Sequence, residues 1–338
     1  MWTSATSTTS TWSWTVRVTV SSAITQTGPV HSSPADGPVV ALDVGGTTLK
    51  GAVVSADGTT LVERSWPTMR ERGPDIVIQA VCDAVAELCR EPAAAGIGAV
   101  GLAVPGVVDV PGGRAVWSEN LRWRDVPIRD LVRKRTGLPV ALGHDVRAGG
   151  LAETRVGAGH GATDVLFVPI GTGIAAAIVA GSRLIESGGY AGELGHLDVG
   201  HGEPCACGGT GCLEAIASAA AIARRYTDRS SKPTDGAAEV AAAVRAGDPI
   251  ASAVWFEAVD ALGHAFAAAV TLLAPERIIV GGGLAQAGGL LLTPLEAQLE
   301  SRLTFHRRPQ LVTAVLGDRA GCLGAALLAR DLVATSSH

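Results

Sequence analysis

The sequence predicts an α/β protein of two domains with a cleft between them, and three observations carry this prediction. With 338 residues, the chain is long enough for two domains of ordinary size. It is 47% apolar but only 4% aromatic, which is typical of a core built from Ala, Val, Leu and Ile. A unit of strand, glycine turn and strand occurs twice, about 125 residues apart. This repeat indicates an internal duplication, with a nucleotide held between the two halves.

Composition and motif positions suggest where the domains begin and end. Residues 1–37 are rich in Ser and Thr and almost uncharged, so we expect a disordered tail there. We expect an N-terminal α/β domain over residues 38–145 and a larger C-terminal α/β domain, with a cysteine motif, over residues 146–318. Residues 319–338 are expected to form a final helix.

Charge and hydropathy exclude several classes of function. A net charge of -5 and a pI near 5.9 give no basic surface for nucleic acid or an anionic membrane. The longest apolar run, around residues 265–274, is shorter than the roughly 18 residues that a membrane-spanning helix needs. Three cysteines in apolar surroundings have the pattern of reduced core residues: Cys82, Cys89 and Cys322. We therefore expect a cytoplasmic protein that binds neither nucleic acid nor membrane.

The first glycine turn, residues 45–48, follows the buried strand PVVALDV and leads into the strand LKGAVV. It lacks the spacing of a P-loop. Its glycines allow backbone N–H groups to approach phosphate oxygens, and its threonines add hydroxyls. The candidate phosphate contacts are Gly45, Gly46, Thr47 and Thr48. Asp43, just before the turn, is placed to hold Mg²⁺ through water, although an ordinary hairpin is the alternative.

Two polar positions follow in the first half of the chain. After an amphipathic helix that begins at Pro74, a polar loop centred on Asn120 lies between Trp117 and Trp123. By itself Asn120 has the pattern of a turn residue, and we expect Trp123 to cover the loop. A helix from about Pro127 to Gly137 then precedes the strand PVALGH.

Asp145 is the candidate catalytic residue. It stands at the end of that strand and the start of a helix, where an α/β cleft opens and the helix dipole favours a charged carboxylate. Such a group can accept a proton from a hydroxyl that attacks a phosphorus atom. The alternative is a helix N-cap.

The second glycine turn, residues 171–173, joins two further strands in DVLFVPIGTGIAAAIVAG. We expect Gly171, Thr172 and Gly173 to face the β- and γ-phosphates, and residues 175–177 to belong to the following strand. A mostly helical region, with a long amphipathic helix from about Pro249 to Leu273, leads to the strand PERIIV. That strand ends in three glycines that leave room for adenine and ribose: Gly281, Gly282 and Gly283.

The stretch from Gly192 to Glu214 has the spacing of a metal site. Its cysteines follow the pattern C-x-C-x4-C, with one histidine nine residues upstream, which supplies the three thiolates and one imidazole of a closed tetrahedral zinc site. The four ligands are His196, Cys205, Cys207 and Cys212. A disulfide is the less favoured alternative. If zinc holds one nitrogen of His196, the other can face a polyhydroxylated ligand beside Glu193 and Glu214; an exposed pair of glutamates is the alternative.

This stretch resembles the ROK family (repressor, open reading frame, kinase), whose sugar kinases carry Glu-x-Gly-His followed by C-x-C-G-x-x-G-C-x-E. The matching positions are Glu193, Gly195, His196, Cys205, Cys207, Gly208, Gly211, Cys212 and Glu214. The resemblance covers about residues 39–332. It implies the two-domain actin-like ATPase (ribonuclease H-like) fold, with the C-terminal helix packed back on the first domain. It also implies a homodimer or homotetramer.

The resemblance further implies ATP-dependent phosphorylation of the 6-hydroxyl of a hexose, with glucose as the expected substrate, Mg²⁺ accompanying ATP and zinc as a structural ion. Asp145 would be the base, and the sugar would be held by Asn120, Glu193, His196 and Glu214. Other hexoses, among them N-acetylmannosamine, N-acetylglucosamine, fructose and mannose, and polyphosphate as donor are alternatives. A ROK regulator, or an idle sugar-binding protein, is the alternative of another class.

The chain departs from the family pattern at two places. His144 stands where most ROK sugar kinases have an asparagine that contacts a sugar hydroxyl. Imidazole also donates or accepts one hydrogen bond, so we keep His144 as a sugar-binding candidate with a different reach and charge. The second glycine turn is followed by Ala175, Ala176 and Ala177 where the family often has glycines.

Overall fold

The computed structural model describes residues 37–336, and its side chains through residue 335. The predicted tail lies outside this range except for Gly37. The strands are β1 (Val39–Val44), β2 (Thr48–Val54), β3 (Thr60–Pro67), β4 (Val100–Val104), β5 (Val107–Asp109), β6 (Arg114–Ser118), β7 (Trp123–Val126), β8 (Val140–His144), β9 (Val165–Pro169), β10 (Ala177–Ala180), β11 (Arg183–Leu184), β12 (Arg277–Gly281) and β13 (Gln310–Thr313). The helices are α1 (Pro74–Leu88), α2 (Ile128–Thr136), α3 (Asp145–Val156), α4 (Leu213–Ala217), α5 (Ala219–Ser230), α6 (Ala237–Arg245), α7 (Pro249–Leu273), α8 (Gly289–Arg302) and α9 (Ala320–Ser336).

The N-terminal lobe is built on a five-stranded sheet in the order β3-β2-β1-β4-β8. Strands β1, β2 and β3 pair antiparallel, whereas β4 and β8 continue the sheet parallel to β1. Helices α1 and α2 cover one face, where Val81, Leu88 and Val132 are fully buried. As predicted, α1 begins at Pro74, and α2 ends at Gly137, whose φ of 74° suits a helix C-terminus.

The C-terminal lobe repeats this design. Its sheet has the order β11-β10-β9-β12-β13, with β9 and β10 antiparallel and β9, β12 and β13 parallel. Each lobe therefore starts with an antiparallel pair joined by a glycine turn and adds two parallel strands on the other side. This shared topology is the architecture that the repeated sequence unit predicts, and the two-domain α/β fold is confirmed.

Helix α7 differs from the sequence expectation in one respect. It has the predicted bounds, but an 18-residue window within it reaches a mean hydropathy of 1.4, which is long and apolar enough to cross a bilayer. Half of that window is buried, and Trp255, Leu262 and Phe266 are fully enclosed in the core of the C-terminal lobe. We therefore assign α7 to the core of this lobe.

The final helix, α9, packs on the opposite face of the N-terminal sheet from α1 and α2. Ala325, Ala329 and Cys322 form a small-residue cluster with residues of β1, β4 and α3. Helix α9 lies so close to β4 and α3 that a methyl group at Gly101 of β4 or at Gly324 of α9 would overlap a backbone carbonyl of the facing element. The helix starts at Ala320 and runs to Ser336, inside the range 319–338 expected for it.

A separate three-stranded sheet, β5-β6-β7, was not predicted. Asn120 lies in the turn between β6 and β7. Trp123, expected to cover this loop, is instead the first residue of β7 and is fully buried, with its indole N–H 3.4 Å from the carbonyl of Pro74. The aromatic residue therefore belongs to the lobe core rather than to the loop surface.

Candidate active site

A cleft of about 380 Å³ brings together residues from both lobes. The strand ends of β1, β8 and β12 open onto it, because the carboxyl ends of parallel strands lie at the same edge of a sheet. Among the residues that line it are six candidates from the sequence: Asp43, Gly45, Asp145, Gly281, Gly282 and Gly283. The structure thus gathers the predicted catalytic acid, the first glycine turn and the triple glycine around one space.

Asp43 and Asp145 form the acidic floor of this cleft. Burial, together with the nearby charge of Asp145, raises the pKa of Asp43 to about 7. The first turn of α9 lies against Asp43, because a methyl group at Gly321 would overlap its carboxylate. Two carboxylates sharing a confined space favour a cation between them, and oxygen ligands are those that Mg²⁺ prefers. These residues therefore fit the expected magnesium ion.

His144 caps the helix that Asp145 begins. Its Nδ1 accepts a hydrogen bond from the backbone N–H of Arg147 at 3.4 Å, and its Nε2 lies 3.3 Å from Oδ1 of Asp145. Both contacts suit a neutral imidazole that carries its proton on Nε2. Burial, the largest influence, lowers the pKa of His144 below its ordinary value. The N-cap considered for Asp145 is thus supplied by His144, which leaves Asp145 facing the cleft.

The first glycine turn is held within its own lobe. The N–H of Gly45 donates to the carbonyl of Thr48 at 3.0 Å, and the buried Thr68 donates its hydroxyl to the carbonyl of Gly45 at 2.7 Å. Thr47 is exposed, and its carbonyl accepts the N–H of Thr68. Asn120 reaches the turn from β6 and β7, since a methyl group at Gly46 would lie 3.6 Å from its Cβ.

The second glycine turn is held from outside its own sheet. Within it, the N–H of Gly171 donates to the carbonyl of Gly173 at 3.0 Å. Just after it, the N–H of Ile174 donates to Oε2 of Glu214 at 2.8 Å. The next strand, β10, begins only at Ala177, so the expectation that Ala175 and Ala176 are strand residues is wrong. The physical reason is a competing partner: the N–H of Ala176 donates to the carbonyl of Gly192 instead of to a strand.

A short 3₁₀ turn, residues 194–196, packs against the segment after the second glycine turn; Glu193 is its N-cap residue and His196 its last residue. Methyl groups at Gly192 or Gly195 would overlap the carbonyls of Ala176 and Ile174, which explains the glycines of this motif. Both side chains are exposed. The negative charge of Glu193 slightly opposes the lowering of the pKa of His144 by burial.

Two functional residues were missed. Arg147 is buried and donates to the carbonyls of Gly189 and Ala191, so it fixes the segment that ends in Glu193. Glu153, fully buried, accepts the N–H groups of Leu316 and Ala158, which ties α3 to the segment that crosses to α9. Most of these partners lie far away in sequence, so the charged residues of α3 gave no sign of which of them would be buried.

The predicted metal ligands converge. The ligand atoms of His196, Cys205, Cys207 and Cys212 all lie within 4.8 Å of one another. Nδ1 of His196 is 3.9 Å from Sγ of Cys205, and the sulfur atoms of Cys207 and Cys212 are 3.7 Å apart, too far for a disulfide bond. Three thiols and one imidazole in this arrangement fit a tetrahedral zinc ion. Because Nδ1 faces the cysteines, Nε2 is the nitrogen free to face a ligand.

Comparison with known proteins identifies the family. The family model described as "ROK family" matches residues 39–332. The chain belongs to the ROK family. It is 34% identical to the glucokinase of Thermotoga maritima over 87% of this chain and 98% of that protein. A putative xylose repressor of Caldicellulosiruptor sp. (strain Rt8B.4) is 26% identical over 88% of this chain and 79% of that protein.

Solved structures agree with the family assignment. The ROK hexokinase from Thermus thermophilus superimposes with a TM-score of 0.80 at 35% identity, covering 88% of this chain and 99% of that one. The ROK family glucokinase from Streptomyces griseus, in complex with glucose and AMPPNP, gives a TM-score of 0.73 at 32% identity, covering 87% and 100%. The ROK membership and the actin-like ATPase fold expected from the sequence motifs are both confirmed.

Proposed function

We propose that this ROK protein is an ATP-dependent hexose kinase that phosphorylates the 6-hydroxyl of glucose. The observation that carries the proposal is the meeting of Asp145, Asp43 and the triple glycine in one cleft between two lobes of the same topology. The similarity to named glucokinases, one of them solved with glucose and AMPPNP, supports glucose and ATP as its substrates.

In this proposal Asp145 is the general base. As the sugar O6 attacks the γ-phosphorus, the O6–P bond forms, the bond to the oxygen of the ADP leaving group breaks, and the hydroxyl proton passes to Asp145. His144, neutral and fixed by the N–H of Arg147, orients the carboxylate from one side. It also presents its ring to the sugar in place of the usual asparagine. Asp43 would hold Mg²⁺ through water, and the ion would supply positive charge to the phosphates.

The sugar is proposed to lie against four side chains from different elements. Asn120 reaches in from the turn between β6 and β7, while Glu193 and Nε2 of His196 come from the 3₁₀ turn and Glu214 from α4. Carboxylates accept, and the amide and imidazole donate or accept, so together they suit a ring of hydroxyl groups. A zinc ion on His196, Cys205, Cys207 and Cys212 would hold this wall in shape.

The nucleotide is proposed to bind across the cleft, with its phosphates between the two glycine turns. On the N-terminal side, the phosphates contact the backbone N–H of Gly46 and the hydroxyls of Thr47 and Thr48. The N–H of Gly45 is already bonded to the carbonyl of Thr48, so Gly45 contributes the space left by its missing side chain. On the C-terminal side, the phosphates contact Gly171, Thr172 and Gly173. Gly281, Gly282 and Gly283 leave space for adenosine; Gly282 has a φ of 74° and so favours glycine. Closure of both lobes would exclude water and limit wasteful hydrolysis of ATP.

The test is ADP release by the purified protein with Mg-ATP and each of several sugars: glucose, mannose, fructose, N-acetylmannosamine and N-acetylglucosamine, beside a blank without sugar. We expect ADP release above the blank when glucose is present. Faster release with another sugar would identify that sugar as the substrate and leave the proposed mechanism unchanged. Replacing ATP with polyphosphate tests the donor. No release with any sugar, from protein that contains zinc, would contradict the proposal and favour a sugar-binding regulator. Cytoplasmic location and a homodimer or homotetramer stay predictions.

A further inference from the structure

Gly173 and Glu214 are in direct contact, although one belongs to the second glycine turn and the other to the proposed sugar wall. A methyl group at residue 173 would lie 2.5 Å from Oε2 of Glu214, closer than nonbonded atoms approach. The same oxygen accepts the N–H of Ile174 at 2.8 Å. The carboxylate thus fills the space that the missing side chain of Gly173 leaves open.

The backbone around Glu214 strengthens this connection. The N–H of Leu213 donates to the carbonyl of Leu197, which fixes the start of α4 to the segment that follows His196. The N–H of Ala219, at the start of α5, donates to the carbonyl of Gly171 at 2.8 Å. The second glycine turn is therefore joined to the segment from residue 213 to 219 at both of its ends.

We propose that the pair Gly173 and Glu214 couples the sugar site to the nucleotide site. Oε2 of Glu214 is held by the turn, while Oε1 accepts no hydrogen bond from the described residues and can accept one from a sugar hydroxyl. A sugar that orients this carboxylate also fixes the turn that receives phosphates, and a nucleotide that fixes the turn orients the carboxylate. Because binding linkage is reciprocal, each ligand tightens the binding of the other by the same factor.

This inference rests on the proposed function, since it needs both a sugar and a nucleotide. It adds that Gly173, assigned above only to phosphate contact, controls the affinity for sugar even when no nucleotide is present. A residue with a purely phosphate-binding role would leave that affinity unchanged.

The chain offers a matched control in the same turn. A methyl group at Gly171 would meet no atom within 4 Å, and neither Gly171 nor Gly173 has a positive φ, so alanine suits the backbone at both positions. At residue 173 the obstructed atom is the end of a flexible side chain. Gly173→Ala should therefore fold and displace the carboxylate of Glu214, whereas Gly171→Ala should leave it in place.

The experiment is calorimetric titration of the full-length protein with the sugar that it phosphorylates fastest, with and without AMPPNP. Wild type is expected to bind the sugar about fivefold tighter with AMPPNP. Gly173→Ala should bind the sugar alone about tenfold more weakly, because a charged hydrogen-bond acceptor is misplaced, and should lose the effect of AMPPNP. Gly171→Ala should keep the wild-type affinity for sugar alone. Thermal unfolding of each variant serves as the check on folding.

A double substitution tests the coupling even if Gly173→Ala binds sugar weakly for a reason unrelated to Glu214. In a background of Glu214→Ala, adding Gly173→Ala should cost no further sugar affinity, because the displaced group is already gone. Normal sugar binding by Gly173→Ala, equal losses in both glycine variants, or additive losses in the double variant would overturn the coupling alone. A wild-type protein that binds no sugar would overturn the proposed function and the coupling with it.

Discussion

The two glycine turns occupy equivalent places in two sheets of the same topology, yet they are held in different ways. The first glycine turn is closed by its own backbone and by Thr68 of the same lobe. The second also has a backbone bond of its own, from Gly171 to Gly173, but the side chain that holds it is Glu214, which belongs to the helix that follows the metal motif. Two sheets can therefore share one strand order while only the C-terminal turn is held by the wall proposed to bind sugar.

Asp145 lies where the two halves meet, so its replacement should give the largest effect. Asp145→Asn keeps the shape of the side chain and removes the base, and we expect turnover to fall about a thousandfold while sugar binding stays near wild type. Steady-state kinetics and calorimetric titration measure the two quantities. Asp83→Asn, a control at the exposed Asp83 that pairs with Arg135 outside the cleft, should change little. An active Asp145→Asn enzyme would contradict the mechanism.

Arg147 holds a segment of the C-terminal lobe, so its replacement tests only that half of the comparison. Its buried guanidinium donates to the carbonyls of Gly189 and Ala191, and Arg147→Met would leave both acceptors unpaired and loosen the segment that carries Glu193. We expect the KM for glucose to rise about tenfold with a smaller change in kcat. The matched control is Arg155→Met, which removes only a surface ion pair with Asp331. Equal changes in the two variants would exclude this positioning role.

Thr68 tests the first glycine turn in the same way. Thr68→Val removes the hydroxyl that donates to Gly45 and keeps the size of the side chain. The KM for ATP should rise about threefold to tenfold, while the affinity for sugar alone stays unchanged, in contrast to Gly173→Ala. Thr136→Val, which removes a similar bond in α2, is the control. If Thr68→Val weakened sugar binding alone, the two turns would not differ as described.

His144 should give the smallest effect, seen as a pH dependence of stability. Burial lowers its pKa below 6.5, while the charges of Asp145 and Glu193 oppose this shift and that of Arg147 adds to it. As the pH falls below 6.5, His144 binds a proton in the unfolded chain but stays neutral in the folded protein. The free energy of unfolding therefore decreases as the pH falls through this range. Between pH 7.5 and 5.5, the wild-type unfolding temperature should fall a few degrees more than that of His144→Asn. Parallel curves would contradict a buried neutral imidazole.

Local signals in the sequence predicted much of the fold and the metal site. Pro74 and Gly137 mark helix ends through backbone preferences that act within a few residues. The spacing of the cysteines and of His196 upstream of them predicted four candidate metal ligands, which lie together in the structure. The contact between Gly173 and Glu214 could not be predicted, because it joins residues that are distant in the chain through tertiary packing. The burial of Trp123 was missed for the same reason.

The most direct test of the central claim is a ³¹P NMR time course of the purified protein with Mg-ATP and glucose. We expect a phosphate ester at C6 of glucose to grow in equal amount to ADP, and both to form about a thousandfold more slowly with Asp145→Asn. ADP formed with inorganic phosphate and no sugar ester would mean that the cleft hydrolyses ATP without transferring to glucose. That result would contradict the assignment of this ROK protein as a glucose kinase.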